Sequence, residues 1–269
     1  MNQLPRKRIF LLSTGFCAVA ALCVFQRAKL RCEFVAWSDL NQSGERLYLD
    51  PRMPDEQAAR VARMVAEARQ RDAGIFGELQ SEPVIIAGSD LSVMEKFGQV
   101  GNRTAVTHLL LGRAFIILGP DGLNIDVIAH EMMHAELYRR VGAWNRELKI
   151  PTWFDEGLAM QADNRDPFSE AQWQARTQGG KLAPDLTQLT TGRNFFAGDS
   201  WVNFATAKHE VRRWIKTVER QGLLDLIARI NNHEDFALAY RQVEDKYRTL
   251  TKTATLRNKL RTDEVSSPR

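Results

Sequence analysis

From residue 46 onward the spacing of apolar and polar positions changes several times, and each change marks a different element. RLYLD (46–50) reads as a short alternating strand closed by Pro51. From 54 to 79 the spacing turns helical. Ala58, Val61, Val65 and Ala68 recur at i, i+3, i+7 and i+10 with charged residues between them, and Gly74 and Gly77 weaken the end. EPVIIAGS (82–89) is a continuous apolar run ended by glycine, the pattern of a buried strand. A second such run, Ala114 to Leu118, lies inside LLLGRAFIILGPDG (109–122) and is broken by Gly119 and Pro120.

Helical patterns then dominate. Asn124 is placed to cap a helix running to about Val141, and residues 142–149 read as a connecting loop. Pro151 precedes Thr152 and Asp155, a T-x-x-D pattern that resembles a capping box and predicts a second helix. Further helices are predicted near 169–177, 201–217, 221–231 and 234–248, and the tail from Thr253 is predicted to fray. Strands in front and helices behind predict an α+β domain over 33–252, with a flexible charged tail over 253–269.

The pattern before residue 33 is of another kind. Arg6, Lys7 and Arg8 precede an uncharged, mostly apolar run over 9–25. Seventeen helical residues span about 25 Å, the short end of what crosses a bilayer. The first reading of residues 1–32 is a signal anchor with a juxtamembrane segment, placing the chain on a membrane with an extracytoplasmic body. The alternative is a signal peptide cleaved near Ala18-Val19-Ala20, followed by secretion. Arg27, Lys29 and Arg31 nearly balance the leading cluster, so charge does not set the orientation.

Composition narrows the field further. The 269 residues are 44% hydrophobic and 26% charged, ordinary for a globular chain with a sizeable core. The net charge of +4 is scattered among acids rather than gathered in a stripe, which argues against a nucleic-acid surface. All three cysteines, Cys17, Cys23 and Cys32, fall in the first 32 residues. The body therefore has neither a disulfide framework nor thiolate metal ligands, and Cys32 reads as a free thiol.

Candidate chemistry lies in VIAHEMMHAEL (127–137). Residues four apart share a helix face, so His130 and His134 can point at one ion. Neutral imidazoles suit zinc, and catalytic zinc sites take three protein ligands while leaving a position for water. Glu131 can reach that water as a general base. The third ligand is expected from PTWFDEGLA (151–159), where Glu156 stands in the first turn of the next helix. Gly157 would let this helix approach the HEMMH helix closely, and Trp153 and Phe154 would help cover the ion. The plainer alternative has Asp155 and Glu156 merely favouring a helix N-terminus electrostatically.

HEMMH followed by WFDEGLA resembles the gluzincin metallopeptidases, in particular the peptidase-MA-like group, over about residues 80–165. The resemblance implies a zincin-like fold: a small sheet over the HExxH helix, a helical lobe and a cleft. It implies one Zn2+ per chain held by His130, His134 and Glu156, with Glu131 catalytic in hydrolysing peptide or protein substrates. It also implies a substrate-aligning edge strand at about 112–118. The 21 residues from 135 to 155 exceed the spacing of the aminopeptidase branch, and no motif for a free amino terminus precedes HEMMH. For an oxyanion donor, His209 and Tyr240 are the nearest candidates, both better read as structural. Asp163 is a candidate partner for a ligand histidine, though a solvated helix position is the plainer reading. A membrane-tethered, non-catalytic zinc-binding scaffold of the same fold is the rival reading.

Overall fold

The structure, a computed structural model, describes residues 27–98 and 104–265, with side chains to residue 253. It divides into two compact units, one drawn from residues up to 62 and from 83–123, the other from 63–82 and from 124 onward.

The first unit is a five-stranded mixed sheet with short helices. In chain order it contains α1 (Arg27–Glu33), β1 (Asn41–Gln42), β2 (Leu47–Leu49), the start of α2 (Asp55–Phe76), β3 (Val84–Ala87), α3 (Leu91–Met94), β4 (Ala105–Leu110) and β5 (Arg113–Leu118). The strand order is β1-β2-β3-β5-β4. The pairs β2/β3 and β3/β5 are parallel, and Ile85 and Ile86 register with Ile116 and Ile117. β3 is buried throughout and β5 from Ala114 onward, which is why both read as unbroken apolar runs rather than alternating ones.

β4 and β5 form an antiparallel hairpin through Leu111 and Gly112, both at positive φ (48° and 78°). This is the backbone of a two-residue primed turn, but with leucine in place of the usual asparagine or aspartate, so the turn carries no sequence signal. The expected edge strand is corrected accordingly. The strand near 112–118 is interior, flanked by β3 and β4, and the edges are β4 and β1.

One face of the sheet is covered by a cluster of Cys32, Val35, Tyr48, Val84, Ile86, Met94, Phe97, Phe115 and Ile117. Cys32 is free, as expected, and its S–H donates to the carbonyls of Ala28 and Phe97. Burial, reinforced by the charge of Glu33, pushes this thiol up to about 12, so it behaves as a small apolar side chain.

The membrane placement needs correction. Among the described residues no helix is long and apolar enough to cross a membrane. The run over 9–25, with Cys17 and Cys23, lies outside the described residues. Residues 27–33, read as juxtamembrane, instead form α1 and send Cys32 into the core of the sheet unit.

The second unit is helical. It takes the end of α2 and adds α4 (Ile125–Lys149), α5 (Thr152–Ala159), α6 (Glu170–Thr177), α7 (Gly192–Phe195), α8 (Ser200–Asn231) and α9 (Phe236–Val265). Asn124 caps α4 as expected, accepting from the Asp126 amide at 2.8 Å. Asp126 in turn receives Arg71 at 2.7 Å and the Asn164 amide at 2.9 Å. α4 is buried nearly all round up to Val141, the mark of a central helix. It does not end there. Gly142 breaks the helix at φ 77°, ψ 164°, and the chain resumes as helix to Lys149 where a loop was expected. α8 joins the two helices expected at 201–217 and 221–231, with the break at Glu219. That break aims Arg220 at the carbonyls of Gly74 and Ile75, which close the end of α2. α9 continues to Val265, beyond the point where fraying was expected.

α5 is held between helices. A Cβ on Gly157 would meet the Ala207 carbonyl oxygen at 2.6 Å and Val211 Cγ2 at 2.7 Å, so the close approach is to α8 rather than to the HEMMH helix. Trp153 and Phe154 pack with Phe236 and Tyr240, and Phe154 also meets Trp214, so these rings anchor α5 rather than cover an ion. Gly157→Ala should cost roughly 1–3 kcal/mol through backbone overpacking, read from urea denaturation.

Asp72 on α2 is 1% exposed, and among the described residues neither carboxylate oxygen has a hydrogen-bond partner. Burial, then the charge of Glu136, raises its pKa from 3.8 to about 8. Between those values the folded chain holds a proton that the unfolded chain has released, so stability falls as pH rises from 4 to 8. Asp72→Asn should flatten that slope and raise stability at pH 8 by about 2 kcal/mol, measured from denaturation midpoints at pH 5 and 8.

Candidate metal centre

The second unit brings together His130 and His134 on α4 and Glu156 on α5. One ligand atom from each forms a compact triangle. His130 Nε2 lies 3.2 Å from His134 Nε2, and Glu156 Oε2 lies 3.4 and 3.5 Å from these two nitrogens. Ligands at about 2.0–2.1 Å from a tetrahedral ion stand about 3.3–3.4 Å apart. The three atoms therefore match three corners of such a site, and this group could hold a metal ion. Both histidines are buried and Glu156 is nearly so.

The two imidazoles are held differently. His134 Nδ1 donates to Asp155 Oδ1 at 2.7 Å, which turns Nε2 toward His130 and Glu156. Asp155 is braced from the other side by Arg146, whose Nη2 meets Oδ2 at 2.5 Å. His130 Nδ1 is buried without a hydrogen-bond partner among the described residues, and its ring is met edge-on by Phe204, centroids 6.3 Å apart. The helix break at Gly142 precedes the segment that carries Arg146.

The electrostatics follow from this packing. Burial disfavours charge on His134, Asp155 and Glu156 alike, but their mutual attraction outweighs it. Asp155 and Glu156 raise the pKa of His134 well above its usual range, so a cation at Nε2 would take the place of a proton. Glu156 is held ionised far below the usual carboxylate range by the two imidazoles, and Asp155 is lowered by His134 and Arg146. Two carboxylates thus flank the imidazole nitrogens, and a cation exchanged for the His134 proton would keep them paired.

The remaining sequence candidates fall as follows. Glu131 follows His130 on the same turn and is half-buried. Asp163 is buried rather than solvated, and both its oxygens go to Arg165. The histidine-orienting carboxylate is Asp155 instead. The T-x-x-D pattern offers it as part of a capping box, yet α5 has no side-chain cap. The amides of Thr152 and Trp153 donate to the carbonyls of Thr190 and Leu189, which frees Asp155 for His134. His209 stacks on Trp173 at 3.6 Å and pairs with Glu170, and the Tyr240 hydroxyl donates to Glu210. Arg146 and Phe204 were not anticipated. Arg146 lay in an expected loop, and Phe204 is sequence-distant from both motifs. No protein-family model matches this chain, and no curated protein matches its sequence.

Asp155→Asn keeps the shape of the side chain but removes its charge from His134 and Arg146. Metal affinity should fall by about 10- to 100-fold while the chain stays folded, as read by competition with a chromophoric chelator.

Proposed function

We propose that this protein is a zinc metallopeptidase of the gluzincin kind, built on a zincin-like domain and acting on peptide or protein substrates. The observation that carries the reading is the triangle of His130 Nε2, His134 Nε2 and Glu156 Oε2, at separations that suit a three-ligand zinc site. When bound, the zinc ion lowers the pKa of a water molecule and draws charge from a substrate carbonyl.

The protein's own groups do the rest. Asp155 and Arg146 keep His134 in the tautomer that presents Nε2. Glu131 accepts the proton of the attacking water and returns it to the leaving nitrogen, a role its half-buried position allows.

A second reading keeps the metal but not the cleavage, as a zinc-binding scaffold. It is favoured by the engagement of His209 and Tyr240 with Glu170 and Glu210, which leaves no assigned oxyanion donor.

Glu131→Gln separates the two. Under the peptidase reading the variant should retain one zinc ion per chain and lose about 10²–10⁴-fold in hydrolysis of a broad peptide mixture. His134→Ala should lose the ion, and a chelator should silence the unaltered protein. A metal-loaded chain that cleaves nothing would leave the scaffold standing.

A further inference from the structure

An aromatic surface begins at one of the metal-binding side chains. Phe204, on the first turns of α8, meets the His130 ring edge-on and also contacts Phe168, Phe195 and Phe196, with centroids 5.8, 5.0 and 6.0 Å away. Phe168 stacks on Trp201 at 4.7 Å. Phe168 and Phe195 are buried and belong to the core, but Phe196 and Trp201 keep 55% and 47% of their surface exposed.

That exposure is built in. The buried Asn203 amide donates to the Phe195 carbonyl at 2.7 Å and the Ala197 carbonyl at 3.2 Å, clamping the backbone on both sides of Phe196. Asp199 caps α8 by accepting from the Val202 amide, which fixes the turn carrying Trp201. Single exposed rings are common on protein surfaces. These two stand on clamped backbone and run without interruption, through Phe204 and Phe168, to the ring of His130.

We propose that Phe196, Trp201 and Phe204 form an aromatic subsite that receives a phenylalanine, tyrosine or tryptophan side chain flanking the bond to be cleaved. The proposal rests on the reading of the metal centre as a peptidase site and adds its specificity. Because Phe204 meets the His130 ring, a side chain next to a carbonyl held at the His130, His134 and Glu156 group would lie within reach of Phe204. The rings of the surface already meet edge-to-face or stacked, so a further ring extends the same packing and gains more than its buried area alone. A methyl group in its place covers little of Phe196 or Trp201.

The test uses the zinc-loaded full chain and two peptidyl hydroxamates, identical except for a benzyl or a methyl side chain next to the metal-binding group. Calorimetry should show the benzyl compound binding at least about tenfold tighter. In the double variant Phe196→Ala, Trp201→Ala that advantage should shrink to about threefold or less, with the methyl compound unchanged. Equal affinities in the unaltered protein, or an undiminished advantage in the double variant, overturn the subsite and leave the metal reading intact. A chain that takes up no zinc, or binds neither hydroxamate, overturns both. Should the double variant fail to fold, Phe196→Ala alone, at an exposed position, carries the same comparison.

Discussion

Moving a carboxylate or an imidazolium out of water costs several kcal/mol unless an opposite charge meets it. At His134 that requirement is met from both sides. Asp155 takes its Nδ1 and Glu156 lies beside its Nε2, while Arg146 balances Asp155 from behind. No member of this set is tolerable alone in so dry a place, so the fold must hold α4 and α5 in one register for any of them to be buried. The position between the two Nε2 atoms and Glu156 Oε2 is where a cation could be held.

The register is supplied by packing rather than by the charges. α5 is only eight residues long and lacks a side-chain cap, so it has little stability of its own. Its first amides are satisfied by Leu189 and Thr190, its glycine lies against the backbone of α8, and its two aromatic residues lock into Trp214, Phe236 and Tyr240. A short helix carrying Glu156 is thereby fixed by three surrounding segments. Directional hydrogen bonds and close-packed rings leave it little room to slide.

Much of this was legible in the chain. The two buried strands, the cap at Asn124 and the helices after residue 169 follow from apolar period and from capping chemistry, which are local. The pairing of His130 with His134 follows from helix geometry alone, since residues four apart must share a face. Other features were not legible. β4 escaped notice because its turn is made by Leu111 and Gly112 rather than by a residue pair that favours positive φ at both positions. Asp155 was read as a cap because local chemistry offers it that role, and only the carbonyls of residues 189 and 190 displaced it. Arg146 lay beyond a glycine that would ordinarily end a helix.

What the sequence determined by itself was the chemistry available and its short-range geometry: an α+β chain, two imidazoles on one helix turn, a glutamate beside the first of them and a carboxylate at the start of the next helix. Periodicity and capping act within a few residues, so a sequence can express them fully. Tertiary structure alone decided which strand is the edge, which carboxylate steadies His134, that Gly157 faces α8, and that Phe204 abuts His130. Each of these depends on segments tens of residues apart meeting within a few ångströms. Such contacts are chosen by the packing of the whole unit, and no local pattern encodes them.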